Sequence, residues 1–190
     1  MPNADEVTGL LLAGGSSTRF GSDKARYRVD GVALIRRVYD VLAGVTGSVL
    51  VSVRDAGQRY DDLLSADIRY VEDAVPGAGP LAGLAAGCDA ATTPWLLVAA
   101  CDLPFLTAGV LSQLLDARTS EVDAVVGRTP DGRTHPHCAA YRRVPAQEAT
   151  SALLAADRYA FHALLDRLSV ATADVPAESL RNVNRPGDVP

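Results

Sequence analysis

The sequence predicts an α/β fold of the Rossmann-like, three-layer kind, a mostly parallel central sheet between two layers of helices, with a small antiparallel hairpin in the C-terminal half. Three observations predict it. Short, mainly apolar runs such as 7–12 and 95–100 suit strands covered on both faces. Segments with apolar residues at helical spacing, such as Leu34, Ile35, Val38, Val41 and Leu42, stand between them. The alternation continues to about residue 118, which calls for parallel strands joined by right-handed crossovers.

Taken in order, residues 7–12 form the first strand and end in a glycine turn at the strand's carboxyl end, where open α/β sheets bind ligands. The helix through Leu34 and Leu42 stops at Gly44, and residues 49–53 return as a strand. Residues 58–64 are expected as a short helix and 68–71 as a third strand. The run 76–80, Pro-Gly-Ala-Gly-Pro, is a loop, and Pro80 opens a tightly packed, alanine- and glycine-rich helix over 81–90. Residues 95–100 form a buried strand that delivers Asp102 just past its end, and Val110, Leu111, Leu114 and Leu115 mark the next helix. Segments 124–126 and 137–141 flank Asp131-Gly132, a turn signal for the hairpin. Residues 144–156 and 159–168 read as helices and 170–173 as a final strand.

The length of 190 residues suits one domain with a sizeable core. A formal net charge of −5 argues against a general nucleic-acid binder. Local charge differs, since the first 37 residues hold Arg19, Lys24, Arg26, Arg28, Arg36 and Arg37, which suits a small anionic ligand. Cys88, Cys101 and Cys138 are an odd, widely spaced set in apolar surroundings, as expected of reduced buried thiols. There is no secretory signal and no apolar run long enough for a membrane span, so a cytoplasmic protein without membrane contact is expected.

The stretch from Leu11 to Lys24, LLAGGSSTRFGSDK, carries the most chemistry. Gly14 and Gly15 lack a Cβ, so their backbone can lie against a ligand with N–H groups aimed at phosphate oxygens. Arg19 and Lys24 add positive charge nearby. It is not a Walker A loop, because Lys24 stands three residues past Gly21, and the three-glycine dinucleotide fingerprint is absent. The loop resembles the signature of nucleotidyltransferases that transfer a nucleoside monophosphate, and within them the molybdenum cofactor guanylyltransferase family. Glu72-Asp73, Gly79-Pro80-Leu81-Ala82-Gly83, Cys101-Asp102-Leu103-Pro104, His135-Pro136 and Asn182-Val183-Asn184 follow in family order over nearly the whole chain.

That resemblance implies transfer of GMP from GTP to the terminal phosphate of molybdopterin, or of molybdenum-molybdopterin, with Mg²⁺ as cofactor. Molybdoenzyme maturation proteins are the expected partners. The half up to about residue 105 would bind GTP and the half from about 106 to 190 the acceptor. Leu12, Ala13, Gly14, Gly15, Lys24, Ser52, Asp73, Gly79 and Asp102 are the expected nucleotide contacts. Arg19, Lys24 and Asp102 are the expected catalytic set, with Asp102 the metal ligand. Arg19, His135, Arg158, Asn182 and Asn184 are expected at the acceptor, the two asparagines sharing one strand face.

Ser52 departs from the family pattern, which has an asparagine there, and a serine is shorter and lacks the amide. Gly15 with Gly79–Gly83 resembles the GTP-using rather than the CTP-using branch of the family; cytidylyl transfer, another phosphorylated acceptor, and a non-catalytic nucleotide-binding module are the competing readings. His135-Pro136-His137-Cys138 is not a zinc site, since neighbours in a strand alternate faces and no second ligand pair stands at the right spacing.

Overall fold

The structure, a computed structural model, describes residues 4–14, 23–64, 68–183 and 188. Its strands are β1 (Val7–Leu12), β2 (Arg28–Val29), β3 (Val32–Ala33), β4 (Ser48–Val53), β5 (Arg69–Glu72), β6 (Trp95–Ala100), β7 (Ala124–Arg128), β8 (Thr134–Arg142) and β9 (Val170–Asp174). The helices are α1 (Leu34–Ala43), α2 (Pro80–Ala90), α3 (Ala108–Asp116), α4 (Arg143–Ala155) and α5 (Phe161–Leu165). Among the described residues seven strands form one sheet in the order β5-β4-β1-β6-β8-β7-β9. β8 alone runs against its neighbours β6 and β7, while the remaining pairings are parallel.

Side chains alternate across each strand, so the sheet separates two cores. On one face Leu11, Val51 and Leu97 pack with Ile35, Val38 and Leu42 of α1 and Leu111 and Leu114 of α3. On the other, Leu10, Leu50, Leu96 and Val98 meet Leu81, Leu84 and Cys88 of α2 and Ala146 and Leu153 of α4. The result is the expected three-layer arrangement. α1 ends at Gly44, α2 opens with Pro80 at its first turn, and Thr107 caps α3 by accepting from the Val110 amide at 3.3 Å.

Three expectations are corrected. Residues 58–64 are not a helix: the Gln58 side chain and Tyr60 N–H bond to other segments, so 58–60 are irregular, and only a single turn follows, Leu63 and Leu64 N–H both donating to Tyr60 O at 2.9 Å. The helix expected over 159–168 is limited to α5, with Tyr159 and Ala160 outside it. Asn182 lies in an irregular segment rather than a strand, and Asn184, with Gly15 and Arg19, lies outside the described residues. One element is additional: β2 and β3 form a two-residue hairpin around Asp30 and Gly31, whose φ angles of 50° and 79° suit a primed turn.

Candidate active site

Reading outward from β1, sequence neighbours of the strand reverse direction along the sheet at this point, with β4 on one side and β6 on the other. Crevices at such switch points lie outside the carboxyl ends of the strands and are where open α/β sheets hold ligands. A cleft of about 230 Å³ opens there, lined by Leu12, Ala13, Gly14, Lys24, Ser52, Asp73, Gly79 and Asp102, together with Pro80, Cys101, His137 and Asn182. Every expected nucleotide contact within the described residues therefore reaches one cleft. The backbone at its floor is fixed by hydrogen bonds from Ala13 N–H to Ser52 O at 2.9 Å and from Cys101 N–H to Leu12 O at 3.1 Å.

Lys24 and Asp102 meet although they are far apart in sequence. The ammonium group donates to Asp102 Oδ2 at 2.9 Å, with the side chains 15% and 20% exposed, so the pair is largely sheltered from water. Asn182 Nδ2 donates to the same oxygen at 3.1 Å. Its position is set from behind: Val183 N–H donates to Asp102 O at 3.0 Å, and the Val183 side chain is buried with Val29 and Leu34. The other carboxylate oxygen, Asp102 Oδ1, is buried and accepts no hydrogen bond among the described residues. Buried polar atoms are nearly always satisfied, so this oxygen calls for a ligand.

At the opposite end, Asp73 follows β5. Three strand spacings separate β5 from β6, about 14 Å. Asp73 accepts from Ser52 Oγ at 3.0 Å. Burial holds its carboxyl above the ordinary value, and the Ser52 hydroxyl and the Arg54 charge act against that rise. The fit is close. A Cβ on Gly14 would stand 2.9 and 3.1 Å from the two Asp73 oxygens, and one on Gly83 would collide with Ser52 Oγ. Gly79 has φ 70°, a conformation that leads α2 toward the cleft and that a side chain would strain.

A second cleft of about 620 Å³ adjoins the first and shares Pro80, Asp102, His137 and Asn182 with it. Its remaining wall includes Arg133, His135, Cys138, Tyr159, Phe161 and His162, so all three histidines of the chain face it. His137 packs against Phe161 with ring centroids 4.6 Å apart, and burial lowers its pKa, leaving a neutral imidazole at neutral pH. His135 Nε2 lies 3.1 Å from Thr129 Oγ1. Arg158 sits in the exposed turn after α4, beside Tyr159, and does not itself line this cleft. Burial raises the Cys101 thiol to about 12, with Asp102 adding to the rise, so this cysteine stays protonated. Among the described residues no group of three or more His, Cys, Asp or Glu side chains is placed to hold a metal by itself.

A family profile for the MobA-like NTP transferase domain matches residues 9–175, most of the chain and every residue lining the two clefts except Asn182. The chain belongs to the MobA-like NTP transferases. It is 38% identical over 164 residues to a molybdenum cofactor guanylyltransferase of Burkholderia ambifaria, covering 80% of this chain and 78% of that one. Among solved structures, the molybdopterin-guanine dinucleotide biosynthesis protein A of Archaeoglobus fulgidus superposes with a TM-score of 0.79 at 22% identity, covering 95% and 94% of the two chains. The 2-C-methyl-D-erythritol 4-phosphate cytidylyltransferase of Thermus thermophilus gives 0.75 at 22% identity, with 96% and 95% covered. These MobA-like transferases thus share a fold with an enzyme of a different base and acceptor, and the choice of substrate rests on the site.

The sequence reading missed Gln58 and Tyr60, which the structure brings beneath the cleft. No signal in the sequence pointed to them beyond a tyrosine in a polar segment. His137, Tyr159 and Phe161 of the second cleft were likewise not singled out as site residues.

Proposed function

We propose that this MobA-like transferase moves GMP from GTP to the terminal phosphate of a molybdopterin, forming the guanine dinucleotide and pyrophosphate. The observation that carries the reading is Asp102, at the shared wall of two clefts with Lys24 on one oxygen and the other unpartnered among the described residues. The donor nucleotide occupies the smaller cleft, its base toward Asp73 and its phosphates toward Lys24, a span in keeping with the strand spacing between them. The carboxylate of Asp73 suits guanine, whose N1–H and 2-amino group are adjacent donors. The acceptor occupies the larger cleft, beside His135, His137 and Asn182.

An oxygen of the acceptor's terminal phosphate attacks the α-phosphorus, and the bond from that phosphorus to the bridging oxygen breaks as pyrophosphate leaves. The attacking phosphate is anionic at neutral pH, so no protein base is required. Lys24 neutralises charge on the triphosphate, and the narrow cleft holds the two phosphates in line. Asp102 suits a Mg²⁺ ligand, a hard oxygen donor for an ion that takes one or two carboxylates with substrate phosphates and water. When bound, such an ion would draw charge from the phosphate oxygens.

The test is pyrophosphate release with Mg²⁺, purified molybdopterin, and GTP or CTP in parallel. Release that needs both GTP and the acceptor supports the reading. Release with CTP transfers the claim to cytidylyl transfer, and GTP binding without release makes the chain a nucleotide-binding module.

A further inference from the structure

Tyr60 is fully buried, yet its hydroxyl stands between two segments of the nucleotide site. It donates to Asp23 Oδ1 at 3.2 Å and accepts from Gln58 Nε2 at 2.7 Å. The same Gln58 nitrogen donates to Ala13 O at 3.2 Å, at the end of β1. Asp23 is the cap of the 3-10 turn Lys24–Arg26, accepting from Ala25 N–H at 3.1 Å through the very oxygen that Tyr60 reaches. A continuous polar link therefore runs from the strand end at Ala13, through Gln58 and Tyr60, to the residue preceding Lys24. Arg26 reinforces it from the far side of the turn, pairing with Asp62 at 2.7 Å, donating to Arg59 O at 2.6 Å and lying 5.3 Å from the Tyr60 ring centroid.

We propose that Tyr60 is a positioning residue for phosphate binding, its hydroxyl holding Asp23 so that Lys24 projects into the cleft in register with the backbone at Ala13. The inference rests on the reading of Lys24 as the phosphate-binding cation. Lys is a flexible, four-carbon side chain, and most of its directional precision must come from its anchor. Here that anchor is a one-turn helix, too short to stabilise itself. Burial and the Asp23 charge push the phenol's pKa far above its usual value, so it remains a neutral donor throughout the working range.

The experiment measures pyrophosphate and GTP binding by calorimetry, with Mg²⁺ present, for wild type, Tyr60→Phe, Lys24→Met and the double variant. Phenylalanine keeps the ring and its packing while removing the link. Expected are a roughly tenfold weaker pyrophosphate Kd in Tyr60→Phe, and less than a twofold further effect when Lys24 is already replaced by methionine, because the hydroxyl acts through the ammonium. Asp23→Ala cuts the link from its other end at a partly exposed residue and also removes the cap on Ala25 N–H, so it is expected to weaken pyrophosphate binding at least as much as Tyr60→Phe; it carries the test if the phenylalanine variant does not fold. Equal losses from Tyr60→Phe in wild type and in the Lys24→Met background, or an unchanged pyrophosphate Kd in Tyr60→Phe, would overturn the proposal as describing only a packing role. Pyrophosphate binding without GTP binding by wild type would sink the guanylyl reading while still testing the link; binding of neither overturns both.

Discussion

Ser52→Ala separates a hydroxyl's effect on the protein from its effect on the nucleotide. Ser52 is 1% exposed, and its hydroxyl donates to Asp73 Oδ1 at 3.0 Å. A hydrogen bond to an ionised group contributes about 1.5–3 kcal/mol when sheltered. Asp73 keeps contact with the open cleft and water can replace part of the interaction, so a stability loss of about 1 kcal/mol is expected. The freed carboxylate can rotate, and affinity for GTP should fall about tenfold, roughly 1.4 kcal/mol. Because the base is held alike in ground and transition states, the loss should sit in KM with kcat nearly unchanged. There is also a pH signature. Burial raises the Asp73 pKa above 3.8 in the folded protein and Ser52 counters the rise, so the alanine variant should be raised further. A raised carboxyl binds protons better when folded, so its favourable contribution is present below the unfolded value near 3.8 and is lost as pH rises through the folded pKa. In Ser52→Ala that loss should extend to higher pH, and the acid limb of kcat/KM for GTP should move the same way. Calorimetric GTP titrations and a kcat/KM profile from about pH 4 upward, near the ordinary carboxyl value, provide the assay. A GTP Kd within twofold of wild type, with an unmoved acid limb, would refute the assignment of Asp73 to the base.

Asp102→Asn keeps the shape but removes the charge opposite Lys24; kcat should fall about 10³-fold, in the range of losing one key electrostatic group, while thermal unfolding shows a folded protein. Turnover within tenfold of wild type at the same Mg²⁺ concentration would count against its role. Gly83→Ala should gain about 1 kcal/mol from helix propensity alone, but the added methyl collides with Ser52 Oγ, so a net loss of about 1–2 kcal/mol and weaker GTP binding are expected by chemical denaturation and calorimetry. A stabilised Gly83→Ala variant would show that α2 shifts freely away from Ser52.

What the sequence made legible follows from where its pattern breaks. Apolar runs that end in a glycine turn at Gly14, or abruptly at Asp102, identify both the strand and its ligand-bearing end, because a glycine pair breaks the strand and a carboxylate has no place within a buried sheet. Helix limits at Gly44 and Pro80 were legible from local stop and start signals. The hairpin of β2 and β3 was not read, although Asp30-Gly31 is a turn signal, because two-residue strands are too short to show alternation. Residues 58–64 misled by their composition: Gln58 and Tyr60 serve partners at Ala13 and Asp23, and long-range partners leave no periodic trace. Ser52 stood out as a departure from the family's asparagine, but only the approach of Gly83 and the bond to Asp73 show how a shorter side chain can serve at that position.

On the proposed reading, the reversed strand β8 is what would bring two anionic substrates together at one carboxylate. In an all-parallel sheet the strand beside β6 would present its carboxyl end at the cleft, and its amino end would lie on the opposite edge. β8 instead runs antiparallel, with Cys138 opposite Ala99, so its opening residues His135 to His137 emerge beside Asp102. The turn before β8 also brings Arg133 to the larger cleft, while Asn182 arrives from the C-terminal segment tied to Asp102 by Val183. In the proposed reaction the first half of the sheet would supply Gly14 and Lys24 to the triphosphate, and the reversed strand with the turn before it would supply His135, His137 and Arg133 to the acceptor. Asp102 lies between them, where its own negative charge is compatible with phosphate only if cations compensate it. Lys24 provides one such charge, and the other oxygen of the carboxylate, unpartnered among the described residues, is where the proposed Mg²⁺ would supply a second.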